Sequence, residues 1–242
     1  MLENNNVKMG LRDGLPIGIG YFAISFAVGV FAASLNLRWF EALAISMMNF
    51  TSAGEIAAIP VIAAGGSLVE LALTQMVVNS RYALMSISLS QRLGKNVRLR
   101  DRFLIAFFNG DEIFALVCAK ESLVGKKYFF SLAILPYLGW SFGTLCGAVV
   151  GDLLPDFLSE ALAVALYAML ITIITQASKT SKSTLVCIIV AIAVFCISEF
   201  LPFLQLIPRG ITVVILSVII SAIFALVAPV SEHDPWEEAE NE

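Results

Sequence analysis

One arginine in the middle of an apolar run, and three acids just after small-residue interruptions of two others, are the side chains here with chemistry to do. Arg81 sits in the string Asn79-Ser80-Arg81-Tyr82 within the apolar stretch Leu68 to Leu89. At about 1.5 Å rise per residue it lies about eleven residues from either end of that run, too deep for its head to reach water. An arginine at the centre of a membrane helix costs about 2.5–3.5 kcal/mol on insertion scales, so it should face a bundle interior and pair with an acid or hold an anion. Glu55 follows the break at Ser52 and Gly54, and Asp111 and Glu112 follow Asn109 and Gly110. These three acids are the available partners. A buried ion pair that never touches substrate is the plain alternative for Arg81, and a simple helix cap is the alternative for Asp111 and Glu112.

Broken helices at membrane depth are tolerated only where protein or a water-filled cavity satisfies their backbone. In transporters the half-helix N-termini face anionic substrate groups, while carboxylates and unwound carbonyls take the cation. Glu55, Asn79, Arg81, Asp111 and Glu112 are therefore the expected substrate-binding or coupling residues, and Ser52, Gly54, Asn109 and Gly110 the expected broken backbone. Other chemistries find little support. Asp111 and Glu112 are adjacent and so point to different sides of a helix, which does not suit a paired-carboxylate enzyme site. The single histidine, His233, lies in the acidic tail, and no phosphate-cradling glycine motif occurs. Cys118, Cys146, Cys187 and Cys196 all fall in apolar segments without a C-x-x-C pair and read as packing residues. No enzyme activity, metal, cofactor or nucleic-acid partner is expected.

The elements that would position these residues are membrane helices. The chain is 59% hydrophobic and 14% charged, with mean hydropathy +0.88, whereas soluble domains average about 25% charged residues. Clear apolar segments run over Leu15 to Leu35, Leu68 to Leu89, Tyr128 to Val150, Leu162 to Ala177, Thr184 to Phe200 and Gly210 to Val227. Each is near the length that crosses a hydrocarbon core of about 30 Å. Phe40 to Ala64 and Phe103 to Ala119 are apolar but broken. The expected fold is an all-α polytopic bundle of about six full spans plus two broken, re-entrant segments. The related strings at the two breaks make an inverted repeat one reading.

Residues 1–13 form an expected cytoplasmic segment, 14–228 the transmembrane domain and 229–242 an acidic cytoplasmic tail. The basic loops at Gln91 to Arg102, Lys120 to Lys127 and Lys179 to Lys182 should be cytoplasmic, and the acidic connection Asp152 to Glu160 should face outward. Cytoplasmic loops on both sides of Phe103 to Ala119 require that segment to return to its own face. Nothing at the N-terminus reads as a cleavable signal. The four-residue steps Gly14/Gly18, Gly139/Gly143 and Gly147/Gly151 suit close helix packing. Pro16, Pro60, Pro136 and Pro202 should kink or end helices, and Trp39, Tyr128, Phe129 and Trp140 include candidate interfacial anchors. Glu70, near the end of its run, should be wet.

Four stretches together resemble the large subunit of branched-chain amino-acid exporters, the AzlC family. They are Gly10-Leu11-Arg12-Asp13-Gly14-Leu15-Pro16; Ser52-Ala53-Gly54-Glu55 with Ala63-Ala64-Gly65-Gly66-Ser67; Asn79-Ser80-Arg81-Tyr82; and Asp111-Glu112. The resemblance covers roughly Gly10 to Gly151. It implies export of valine, leucine, isoleucine and, at the edge of the range, methionine across the bacterial cytoplasmic membrane, with a small AzlD-type membrane partner. Two positions depart from the family pattern, which has glutamine where Glu55 stands and histidine where Tyr82 stands. Arg81 or a half-helix N-terminus would hold the substrate carboxylate, and Glu55 or the Asp111/Glu112 pair the ammonium or a coupling proton. A channel-like permease for another small solute, built on paired re-entrant half-helices, is the competing reading.

Overall fold

The computed structural model describes residues 3–4, 6–94, 97–120, 122–151, 182–201 and 209–227, with a few further residues between 153 and 175 and Ile207. The chain divides into two compact units, residues 1–168 and 169–242. The first is built on two long helices, α1 (Val7–Ser34) and α8 (Lys126–Gly151), of 28 and 26 residues. Both are long and apolar enough to cross a membrane. They run parallel in direct backbone contact, because glycines line the shared face. A Cβ on Gly147 would stand 2.0 Å from the Phe26 carbonyl oxygen, and one on Gly139 would stand 2.2 Å from that of Gly18. With no hydrophobic drive between helices in lipid, such close approach supplies the van der Waals contact that holds them together.

The ends of α1 and α8 that carry Lys8, Arg12, Lys126 and Lys127 lie together, tied by short polar links. Asp13 Oδ2 accepts from Lys120 Nζ at 2.8 Å and from the Tyr128 hydroxyl at 2.6 Å. Two-residue strands β1 (Glu3–Asn4) and β2 (Leu123–Val124) pair in parallel beside them, and Leu93 bridges to Val124.

Between the long helices the chain is broken three times. Helices α2 (Trp39–Met48) and α3 (Ser52–Ala63) flank the first break, α4 (Leu68–Val78) and α5 (Ser80–Arg92) the second, and α6 (Leu99–Phe107) and α7 (Asp111–Cys118) the third. Gly65, at φ +68°, makes the turn between α3 and α4 in a conformation side chains resist. The bridge from Leu93 to Val124, with Gly94 N–H donating to the Val124 carbonyl at 2.9 Å, puts both ends of the α6–α7 segment on one face. That segment returns to the side it left. The second unit contains α9 (Lys182–Ser198) and α10 (Arg209–Val227), of 17 and 19 residues, packed on each other. All four cysteines are free.

Several expectations need correction. Leu68 to Leu89 is not one continuous helix: α4 ends at Val78, Asn79 caps it, and α5 starts at Ser80. The first break lies earlier than expected, at Asn49 to Thr51, so Ser52 and Gly54 belong to the first turn of α3. Tyr128, Phe129 and Trp140 are buried and not interfacial anchors, and Glu70 is buried at the start of α4, where Ser67 caps the helix. Pro16, Pro60 and Pro136 end no helix, since each lies inside one that continues past it. Asp152, Asp156 and Glu160 of the acidic connection, most of Leu162 to Ala177, Lys179, Pro202 and the tail lie outside the described residues.

Candidate functional site

The first and third breaks meet halfway along the two long helices. Phe50 from the first and Phe108 from the third pack edge to face, with ring centres 6.3 Å apart. Phe50 also meets Tyr21 of α1 at 5.8 Å and Tyr137 and Trp140 of α8 at 5.5 and 6.5 Å. Tyr21 and Trp140 are in contact at 5.3 Å. Edge-to-face stacking is the favoured geometry for buried rings, and it makes a firm apolar floor here.

Around this floor, side-chain amides repair the broken backbone. Gln75 of α4 donates through Nε2 to the Gly54 carbonyl at 2.8 Å. Its Oε1 accepts from Asn49 Nδ2 at 3.0 Å and from Asn79 Nδ2 at 2.9 Å, and the Thr51 hydroxyl donates to Asn49 Oδ1 at 2.9 Å. Polar groups from the first and second breaks thus bond one another, with Asn79 Oδ1 left buried and without a hydrogen-bond partner among the described residues. Gly54 suits this closeness, since a Cβ there would lie 2.2 Å from Thr51 Oγ1 and 2.9 Å from the Asn79 amide and would push those side chains aside. Asn109 is buried at the third break and reaches Ser86 of α5 at 3.4 Å.

The charged residues take separate partners. Arg81, in the first turn of α5, donates to Asp111 Oδ2 of α7 at 2.8 Å and to the Tyr82 hydroxyl at 3.2 Å, and lies 4.9 Å from the Tyr82 ring centre. The Arg81 and Asp111 side chains are 35% and 33% exposed, so the pair is reachable. Glu112, on another side of α7, accepts from the Tyr21 hydroxyl, and Gly110 leaves room for that hydroxyl, which a Cβ would approach to 2.6 Å. Glu55 is fully buried and accepts from Trp140 Nε1 at 2.6 Å.

Glu55, Asn79, Arg81, Asp111 and Glu112 are therefore held at or beside the three breaks, with Asn109 and Gly110 in the third and Ser52 and Gly54 opening α3. Tyr21, Asn49, Phe50, Gln75, Phe108 and Trp140 are contributors that sequence reasoning missed. Asn49 and Gln75 carried a signal, as amides in apolar stretches; the aromatics carried none beyond general apolarity.

Known proteins similar to this chain are membrane proteins. The inner membrane protein YgaZ of Escherichia coli is 31% identical over 147 residues, 59% of this chain and 60% of its own length. An uncharacterized membrane protein of Helicobacter pylori is 27% identical over 197 residues, covering 78% of this chain and 85% of the relative. One from Archaeoglobus fulgidus is 28% identical over 147 residues, 61% of this chain and 64% of the relative. The match thus spans less than two thirds of the Escherichia coli and Archaeoglobus relatives. No solved structure matches. The family model for the AzlC protein matches residues 16–154, the region that carries α1, all three breaks and α8. The chain is an all-α membrane protein and belongs to the AzlC family, which points to a role in membrane transport.

Proposed function

We propose that this protein is a secondary transporter that exports branched-chain amino acids across the bacterial cytoplasmic membrane. Its substrates are valine, leucine, isoleucine and, more weakly, methionine; protons drive it, and a small AzlD-type membrane subunit completes it. The observation that carries the reading is the reachable Arg81–Asp111 pair beside an aromatic floor halfway along α1 and α8. A zwitterion can exchange with such a pair. Its carboxylate replaces Asp111 at Arg81, its ammonium takes the freed Asp111, and no net charge is added to a low-dielectric site. An apolar side chain then rests on Phe50, Phe108 and Tyr137, whose rings are in mutual contact.

The geometry favours Arg81 over a half-helix N-terminus as the carboxylate's partner. The first turn of α7 already carries the Asp111/Glu112 pair, and these acids repel an incoming anion. Purified protein in liposomes loaded with leucine or valine tests the reading, with and without the small subunit. Saturable counterflow of labelled leucine is the expected result. Flux that rises linearly with solute and discriminates poorly among solutes points instead to the channel-like permease.

A further inference from the structure

Glu55 and Glu112 are the charge-bearing residues of the central site that the zwitterion exchange leaves unused; Glu112 is held by the Tyr21 hydroxyl, and Glu55 is the one with an unpartnered oxygen among the described residues. It is fully buried. Oε2 accepts from Trp140 Nε1 at 2.6 Å, whereas Oε1 is buried with no hydrogen-bond partner among the described residues. Its surroundings can be named element by element. From α2 comes Ser46, whose hydroxyl is shared with Thr144 of α8 at 3.0 Å. From α8 come Trp140 and, one turn away, Tyr137. From α1, Tyr21 stands behind the Trp140 ring with its hydroxyl committed to Glu112 of α7. From α4, Gln75 holds the neighbouring Gly54 carbonyl, while Glu70 lies beside Gly66 toward the other end of α3. Among the described residues no lysine or arginine forms an ion pair with Glu55; Arg81 is taken by Asp111.

An ionised carboxylate removed from water with the Trp140 N–H, at most one neighbouring hydroxyl and no cation is far less favourable than the neutral acid, which needs only an acceptor for its proton. The Ser46 hydroxyl beside Glu55 can accept as well as donate. We propose that Glu55 is a proton-binding site, distinct from the Arg81–Asp111 pair, that is loaded in the conformation described here and discharges to water during the transport cycle. On discharge the Glu55 O–H bond breaks, the proton passes to water, and the carboxylate keeps the Trp140 N–H as its donor. This deepens the proposed function and rests on its transport reading for coupling, though not for the proton itself.

Infrared difference spectroscopy on the purified full chain at neutral pH tests the proton directly, with no substrate needed. A protonated-carboxyl C=O band that is lost in Glu55→Gln is the expected result. In Trp140→Phe the same band should move to higher frequency as its hydrogen bond is lost, so the assignment does not depend on one variant folding. A neutral-pH spectrum in which neither substitution alters such a band overturns the proposal. Coupling is read in proteoliposomes: Glu55→Gln should lose leucine accumulation driven by a pH gradient. Undiminished gradient-driven accumulation in Glu55→Gln overturns the coupling. Absence of leucine counterflow in the wild type sinks the amino-acid reading instead, and the infrared band still decides the proton.

Discussion

Replacing Arg81 separates a substrate-binding arginine from one that only braces the fold. The Arg81–Asp111 pair is 2.8 Å long with both side chains about one third exposed. Removing one partner of a fully buried pair costs about 3–5 kcal/mol, and exposed pairs are worth about 0–1 kcal/mol. Between these limits, Asp111→Ala or Arg81→Ala should destabilise the protein by about 1–3 kcal/mol. A hydrogen bond from a charged donor to a substrate carboxylate is worth about 1.5–3 kcal/mol, so Arg81→Ala should raise half-saturation for leucine about 10- to 100-fold. Arg81→Lys keeps the charge but loses the planar contact with the Tyr82 ring, 4.9 Å away, and should fall between. The assay is leucine counterflow in liposomes, paired with thermal melting in detergent. The double variant Arg81→Ala/Asp111→Ala is decisive. A purely structural pair would let it regain both stability and transport, whereas exchange with a zwitterion leaves it stable but without counterflow. Transport restored in the double variant, or half-saturation in Arg81→Ala within twofold of wild type, refutes the reasoning.

Gly147→Leu would force a Cβ to within 2.0 Å of the Phe26 carbonyl oxygen, and the side chain beyond it has no room; folded yield from membranes should collapse, while Gly20→Leu, with open space around it, should not change it. Tyr21→Phe removes the donor to Glu112 and should lower stability by about 1–2 kcal/mol in a detergent melt. Asp13→Ala strands both Lys120 and Tyr128 and should cost about 1–3 kcal/mol. Lys120→Ala should cost less, because Asp13 keeps the Tyr128 hydroxyl; the reverse order in melting temperature would contradict the arrangement.

Composition and hydropathy determined by themselves that this is a helical membrane chain, because a large excess of apolar residues in runs near bilayer length has few other folded solutions. The isolated polar residues were legible for a related reason: Glu55, Arg81, Asp111 and Glu112 are costly at membrane depth, so their presence marks where function or pairing must be. The four-residue glycine steps likewise announced close helix contact, and the structure assigns it to α1 against α8. Local pattern could not say which acid takes Arg81. That choice depends on α5 and α7 lying side by side, a contact between residues 30 apart in sequence. Nor could it find the break at Asn79, since Asn79-Ser80-Arg81 within an apolar run suits a continuous helix with a paired arginine as well as a broken one, and only the bonds among Asn49, Gln75 and Asn79 reveal what the amides do. Trp140 shows the same limit most clearly. An aromatic in an apolar helix fits a bilayer interface as well as a core, and only the tertiary fold brings the Trp140 N–H to the buried Glu55 carboxyl, 85 residues away in sequence.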